Sequence, residues 1–101
     1  MATNTAEDTF ATDIADGIVF VDFWTDWCGP CKVLAPQYQA LSESYTDASF
    51  LKLDIMAHQG VAKQYNVRGI PTIIAFRDGQ EVDRHVGAQN VEDFVRRVTE
   101  G

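Results

Sequence analysis

The sequence predicts an α/β protein with a central mixed β-sheet flanked by helices on both faces. In the first half, strand-like and helix-like hydrophobic patterns alternate in the order βαβα, which requires parallel strands joined by crossover helices. In the second half, two strand-like segments flank Asp78-Gly79, a dipeptide typical of antiparallel hairpins, and a helix follows them. The combined order βαβαββα therefore predicts parallel and antiparallel pairing in one sheet.

Length and composition indicate a single domain spanning residues 1–101. One hydrophobic core is the norm for a chain of this size. Hydrophobic residues make up 46% of the chain and charged residues 23%, which is the balance of a folded protein rather than a disordered one.

Four segments have the pattern of β-strands. The run 18–24 is apolar, β-branched and aromatic except for Asp22, which predicts a central strand buried on both faces. Residues 49–55 read as a second strand, and the hairpin strands are 72–76 and 81–86.

After the central strand, apolar residues recur at steps of four, three and four, which predicts a helix packed on the sheet. These residues are Leu34, Tyr38, Leu41 and Tyr45. Pro36 lies inside this helix, where it should bend or locally break the backbone near Lys32. Weaker helical patterns occur at residues 10–14 and 61–65, and Asn90 is positioned to cap a final helix.

The formal net charge of -7 argues against nucleic acid and anionic membrane surfaces as partners, because both repel an acidic protein. Residues 1–9 contain neither a basic start nor an apolar run, so no secretory signal or membrane span is predicted. We therefore expect a cytoplasmic protein.

Cys28 and Cys31 lie where the central strand ends and the first long helix begins. Free amides and the positive end of the helix dipole stabilise a thiolate there, so the pKa of Cys28 should be lowered. We predict that Cys28, solvent-accessible, attacks a client disulfide and that Cys31, largely covered, resolves the mixed disulfide. Gly29 lets a client backbone approach, and Pro30 suits the first helical turn because it lacks an N–H.

Two other interpretations of the cysteine pair remain open on the residues alone. A Cys-x-x-Cys pair supplies half of a tetrahedral zinc site, which His58 and His85 could complete. The second is a purely structural disulfide, although a bridge that closes so short a loop constrains the unfolded chain little. The lack of a second cysteine pair argues against a metal site and favours redox chemistry.

Four motifs, in the expected order, make the chain similar to the thioredoxin family over nearly its whole length beyond residue 8. They are VDFW at 21–24, WCGPCK at 27–32, AP at 35–36 and VRGIPT at 67–72. The resemblance implies the thioredoxin fold and reduction of protein disulfides through a redox-active Cys28–Cys31 disulfide. It also implies a monomer that acts on disulfide-containing client proteins. A thioredoxin reductase-like electron donor, usually a flavin-containing enzyme that uses NADPH, would re-reduce it.

Asp22 and Lys52 acquire roles only through this resemblance. On the residues alone, Asp22 is either a solvated edge residue or a buried acid with a partner, and Lys52 is a strand residue that extends to solvent. In thioredoxins the matching aspartate is buried behind the active site. Desolvation there would raise its pKa and let it accept the proton of the Cys31 thiol. The matching lysine lies near that aspartate.

The resemblance further implies a groove that binds clients. A cis Ile70–Pro71 bond faces the cysteines and its exposed backbone pairs with an extended client segment, although X-Pro bonds in general are mostly trans. Trp27 would be a flat apolar wall beside this groove, and Gly87 matches a family residue that we assign to client binding. Trp24 is expected to be structural.

The chain departs from the family pattern in three places. The opening residues are short and polar, so the first edge strand should be short or absent. Met56 stands where thioredoxins often carry an acidic residue, which would alter the docking of a reductase. Thr25-Asp26 also differs from common versions.

Two other functions are compatible with the same fold. A thioredoxin-like domain can serve as a binding or scaffold module with idle cysteines, because fold does not dictate function. A relative in an oxidising compartment can act as an oxidase. The Gly29-Pro30 pair is most similar to that of reducing thioredoxins and favours a reductase.

Overall fold

Nine elements form the chain in a computed structural model, which describes residues 1–101. The strands are β1 (Ala2–Asn4), β2 (Ile18–Trp24), β3 (Ala48–Asp54), β4 (Thr72–Arg77) and β5 (Gln80–Val86). The helices are α1 (Phe10–Asp13), α2 (Gly29–Ser44), α3 (Gln59–Gln64) and α4 (Val91–Glu100). None of these helices has both the length and the apolar composition that a bilayer crossing requires.

Strand β2 lies at the centre of a five-stranded sheet with the order β1-β3-β2-β4-β5. It pairs in parallel with β3 and antiparallel with β4, whereas β4 and β5 form an antiparallel hairpin. All residues of β2 except the two at its ends are buried. The mixed sheet and the central position of this strand are therefore confirmed.

The first edge strand is present but short, as expected. Ala2–Asn4 pairs in parallel with residues 50–52 of β3, and the backbone N–H of Thr5 donates to the Lys52 carbonyl at 2.9 Å. Backbone pairing with β3 places this segment at the sheet edge without any apolar alternation of its own.

The side chains of β2 alternate between two apolar cores. Phe20 packs with residues of α2 and α4 on one face of the sheet, and Val19, Val21 and Phe23 pack with residues of α1 and α3 on the other. Helices therefore cover both faces, as predicted. Because side chains alternate along a strand, Asp22 shares the face of Phe20, which is the face covered by α2.

Tyr38 anchors α2 to the sheet. Its fully buried hydroxyl lies 3.1 Å from the Phe20 carbonyl oxygen and 2.7 Å from the Leu51 carbonyl oxygen, both of which can accept its proton. Burial, together with the nearby Asp22 carboxyl, raises the pKa of Tyr38 well above its usual value, so the hydroxyl remains a donor. This anchor holds the helix whose first turn carries the cysteines.

Of the two alternatives predicted at Pro36, a bend or a local break, the break is wrong, and so is the side-chain cap expected from Asn90, although Asn90 does stand at the start of α4. Helix α2 is continuous through Pro36, with no break near Lys32. Pro36 is exposed while Leu34 and Tyr38 on either side are fully buried, so packing on the sheet maintains the helix across the missing hydrogen bond. Asn90 precedes α4 with a left-handed φ of 63°, and its side chain makes no capping hydrogen bond.

Candidate active site

Cys28 and Cys31 are joined by a disulfide at the start of α2, with their Cα atoms 5.2 Å apart. Cys28 is the residue that caps the helix, and its Sγ accepts a hydrogen bond from the Cys31 N–H at 3.1 Å. Pro30 occupies the first turn, where a missing N–H costs nothing. The strand-to-helix junction expected for the cysteine pair is therefore confirmed.

The two cysteines differ in exposure less than expected. Cys28 is 8% exposed and Cys31 is 3% exposed, so the order is as predicted but Cys28 is also largely covered in the disulfide form. Its neighbour Trp27 is 89% exposed, and Gly29 and Pro30 are exposed as well. The solvent-exposed surface beside the disulfide is therefore formed by these neighbouring residues, whereas the sulfur atoms themselves are largely covered.

A cavity of about 230 Å³ lies behind the disulfide. Its lining residues are Asp22, Trp24, Cys31, Lys32, Ala35 and Lys52. Asp22 and Lys52 face each other in the β2–β3 register, and Lys52 Nζ lies 5.9 Å from the centroid of the Trp24 ring. The structure thus brings Asp22, Lys52 and Cys31 around one small space.

Asp22 is a buried acid in this cavity. It is 3% exposed, and its Oδ1 atom has no hydrogen-bond partner. Burial raises the pKa of Asp22 to about 7, and the positive charge of Lys52 offsets part of that effect. Near neutral pH this carboxyl therefore exists in both its protonated and its ionised form. A group that accepts and then donates a proton needs both forms to be accessible.

A second depression, of about 470 Å³, reaches the cysteine loop at Pro30, and we call it the front depression. Its lining residues are Pro30, Ile70, Pro71, His85, Val86, Gly87, Ala88, Gln89 and Asn90. The Ile70–Pro71 bond is cis, as the resemblance implied, and the Pro71 carbonyl accepts from the Gly87 N–H at 2.8 Å. Neither the N–H nor the C=O of Ile70 forms a hydrogen bond within the chain.

The predicted site residues therefore separate into two groups. Asp22 and Lys52 lie behind Cys31, whereas Pro30, Ile70, Pro71 and Gly87 line the front depression. Trp27 lines neither space and stands out as an exposed ring beside Cys28 in the chain.

Trp24 has a place in the site that the sequence prediction did not assign. Its ring lines the rear cavity, and its indole Nε1 is buried without a hydrogen-bond partner. The period-two pattern of β2 already puts Trp24 on the same face as Asp22, which is the signal that could have identified it.

The two histidines occupy separate positions away from the cysteines. The His58 ring accepts a hydrogen bond from the Glu7 N–H at 3.4 Å, and the His85 ring lies 2.7 Å from the Gln89 carbonyl oxygen. No group of three or more His, Cys, Asp or Glu side chains has the arrangement of a metal site. The cysteine pair is a disulfide in the structure, not half of a zinc site.

The family model described as Thioredoxin matches residues 1–100 of the chain. The chain belongs to the thioredoxin family. It is 45% identical to the thioredoxin of Chlamydia muridarum over 94 residues, which cover 93% of this chain and 92% of that protein. It is also 45% identical to thioredoxin from Staphylococcus aureus over 86 residues, covering 84% and 83% of the two chains.

Solved thioredoxin structures have the same fold. Plasmodium falciparum thioredoxin is 32% identical, superposes with a TM-score of 0.88, and the match covers 99% of this chain and 97% of that one. Malassezia sympodialis thioredoxin (Mala s 13) is 28% identical with a TM-score of 0.88, covering 97% and 91%. The thioredoxin fold predicted from the sequence is confirmed.

Family membership and the Cys28–Cys31 pair together make this thioredoxin-family chain a thiol–disulfide oxidoreductase that reduces protein disulfides. Thioredoxins act through the disulfide itself and need no further cofactor. The family also implies a reductase as electron donor and disulfide-containing proteins as clients.

Proposed function

We propose that Cys28 is the attacking thiolate and Cys31 the resolving thiol in the reduction of client disulfides. Cys28 Sγ forms a bond to one client sulfur as the client S–S bond breaks, and the other client sulfur leaves as a thiolate. Cys31 then loses its proton and attacks Cys28 Sγ, which forms the Cys28–Cys31 disulfide and releases the second client sulfur. Two electrons pass to the client, and an external donor must restore the dithiol.

The single observation that carries this assignment is the position of Cys28 at the cap of α2. The Cys31 N–H that donates to Cys28 Sγ at 3.1 Å would stabilise a thiolate on the same atom. The exposed Trp27, Gly29 and Pro30 adjoin Cys28 in the chain, whereas Cys31 lines the rear cavity together with the buried Asp22. Because the exposed surface adjoins Cys28 in the chain, the proposal assigns the approach of a client to this sulfur, although both sulfurs are largely covered in the disulfide form.

Asp22 is the proposed acceptor of the Cys31 proton. Support comes from the cavity that the two residues share, from the unpartnered Oδ1 atom and from a pKa raised by burial to about 7. Such a carboxyl can take a proton at neutral pH and return it to solvent later. Lys52 tunes this process, because its charge opposes the effect of burial on the pKa of Asp22.

The front depression is the proposed client site. The free N–H and C=O of Ile70 supply one donor and one acceptor for strand-like pairing with an extended client segment. Pro71 and Gly87 line the depression beside Ile70, and Pro30 connects it to the cysteine loop. The exposed Trp27 would add apolar contact with the client. Backbone pairing of this kind accepts many client sequences.

The remaining assignments also form part of the proposal. The donor is a thioredoxin reductase-like flavoenzyme that uses NADPH, and the protein works as a monomeric single domain in the cytoplasm. The net charge of -7 supports proteins rather than nucleic acid or anionic membranes as partners. Met56 is 58% exposed and, by the resemblance, stands where thioredoxins often carry an acidic residue, so it would alter docking of the reductase.

An insulin reduction assay tests the central assignment. The dithiothreitol-reduced protein should precipitate the insulin B chain catalytically, whereas Cys28→Ser should give only the background rate. A scaffold with idle cysteines would instead make wild type and Cys28→Ser indistinguishable. A measured reduction potential near about -270 mV supports a reductase, and one near about -120 mV would identify an oxidase.

A further inference from the structure

His85 on β5 has two contacts that fix its ring. The half-buried imidazole stacks on Phe94 of α4, with ring centroids 5.4 Å apart and planes at 29°. Its Nε2 lies 2.7 Å from the Gln89 carbonyl oxygen. Because a carbonyl oxygen only accepts, Nε2 must carry the proton and donate it.

The His85–Gln89 hydrogen bond closes the loop of residues 87–90 that connects β5 to α4. This loop contains two left-handed residues, Gly87 with φ of 104° and Asn90 with φ of 63°. The Asn90 side chain makes no capping hydrogen bond to α4, although the Asn90 carbonyl accepts from the Phe94 N–H at 3.2 Å. The Gly87 N–H to Pro71 carbonyl bond ties the loop at its start, and the His85 ring ties it near its end.

The same loop lines the front depression, which Pro30 of the cysteine loop also lines. Pro30, the Ile70–Pro71 segment and residues 87–90 all line it, together with His85. His85 does not line the rear cavity that holds Cys31 and Asp22. A change at His85 should therefore affect the proposed client site and not the rear cavity where the proposed proton transfer takes place.

We propose that His85 is a positioning residue for client binding, which holds the 87–90 loop against the Ile70–Pro71 segment through its bond to the Gln89 carbonyl. The proposal rests on the client site proposed above. When the 87–90 loop is already ordered, a client can bind in the front depression without the entropic cost of ordering the loop. This preorganisation increases the affinity for the client. Losing the bond should weaken client binding about fivefold, as expected for one hydrogen bond of ordinary strength.

His85→Phe tests this inference because it keeps an aromatic ring on Phe94 and removes only the donor. Single-turnover oxidation of the reduced protein is followed by tryptophan fluorescence over a range of insulin concentrations. The half-saturating insulin concentration should rise about fivefold while the limiting rate stays unchanged. Oxidation by the small disulfide 5,5′-dithiobis(2-nitrobenzoic acid), which has no chain to place in the groove, should proceed at the wild-type rate.

Two further variants separate the hydrogen bond from a general structural effect. His85→Gln restores an N–H donor and should recover part of the insulin affinity, whereas His58→Phe, the same change at the other histidine, should behave as wild type. The inference is overturned if His85→Phe has wild-type insulin dependence, if it slows both substrates equally, or if His85→Gln is as weak as His85→Phe. Failure of wild type to reduce insulin would overturn the proposed function instead.

Discussion

The two sides of the Cys28–Cys31 pair present opposite environments. Behind it, Asp22 is 3% exposed in a cavity of about 230 Å³, whereas in front Trp27 is 89% exposed near an open depression of about 470 Å³. In the rear, exclusion of water sets the protonation of a carboxyl. At the front, loop geometry leaves the Ile70 backbone free to pair. The proposed proton transfer therefore depends on burial behind the disulfide, whereas the proposed client binding depends on loop geometry in front of it.

The largest expected effect separates the cysteines themselves. Cys31→Ser should attack clients but fail to resolve them, so column-bound Cys31→Ser protein should retain lysate proteins until reductant is added. Cys28→Ser should retain none, because its remaining thiol lies on the covered rear side. Equal yields from the two columns would contradict the division into a front and a rear sulfur.

Asp22→Asn should slow resolution while leaving attack unaffected. Loss of a positioned proton acceptor lowers such rates by about 100-fold, and part of the loss should be recovered at higher pH, where Cys31 ionises unaided. Rapid-quench measurement of the mixed disulfide would detect its accumulation. A variant that resolves as fast as wild type from pH 6 to 9 would remove Asp22 from the mechanism.

The same residue should make stability and rate move in opposite directions. The pKa of Asp22 is about 7 in the folded protein and 3.8 without burial, so the unfolded chain loses this proton first. Wild-type stability therefore falls as pH rises from about 4 to 7 and the loss is complete above pH 7. Asp22→Ala and Asp22→Asn lack this loss and should be more stable at pH 8, by at most on the order of 4 kcal/mol. Urea midpoints that coincide with wild type at pH 8 would contradict a strained buried acid.

Lys52→Met should slow resolution of the mixed disulfide less than Asp22→Asn does. Lys52 lowers the pKa of Asp22, so its removal should move that pKa further above its usual range. The pH at which resolution reaches half its maximum should then rise, and the rate at pH 7 should fall about threefold. Lys63→Met on α3 removes the same charge elsewhere and serves as the matched control. An unchanged pH profile would show that Lys52 does not tune Asp22.

Trp27→Ala is expected to have the smallest effect, confined to the front. Because its ring is 89% exposed, the free energy of unfolding should change by less than about 0.5 kcal/mol. The half-saturating insulin concentration should rise about threefold through lost apolar contact. Reduction of a small disulfide should be unaffected. A large loss of stability, or slower reaction with the small disulfide, would instead assign Trp27 a structural role.

Local signals predicted some features and not others. The apolar run 18–24 predicted the central strand correctly because burial on both faces requires an unbroken hydrophobic pattern. Ala2–Asn4 has no such pattern and becomes a strand only by pairing with β3. Asn90 fits a capping position by residue type and stands at the start of α4, yet its backbone is left-handed and its side chain makes no capping hydrogen bond. Long-range pairing thus created the first strand, whereas a side-chain cap at Asn90 depended on a backbone conformation that residue type alone does not specify.

By itself, the sequence determined the order βαβαββα from Ile18 onward and the placement of Cys28 and Cys31 at a strand-to-helix junction. Periodicity and helix-start chemistry are encoded within short segments, which is why they can be recognised without the fold. Only the tertiary structure decided that Lys52 faces Asp22, that burial raises the pKa of Asp22 to about 7, and that the His85 ring meets the Gln89 carbonyl. Register, desolvation and loop closure depend on how all five strands and the helices pack together. No short segment of the chain carries that information.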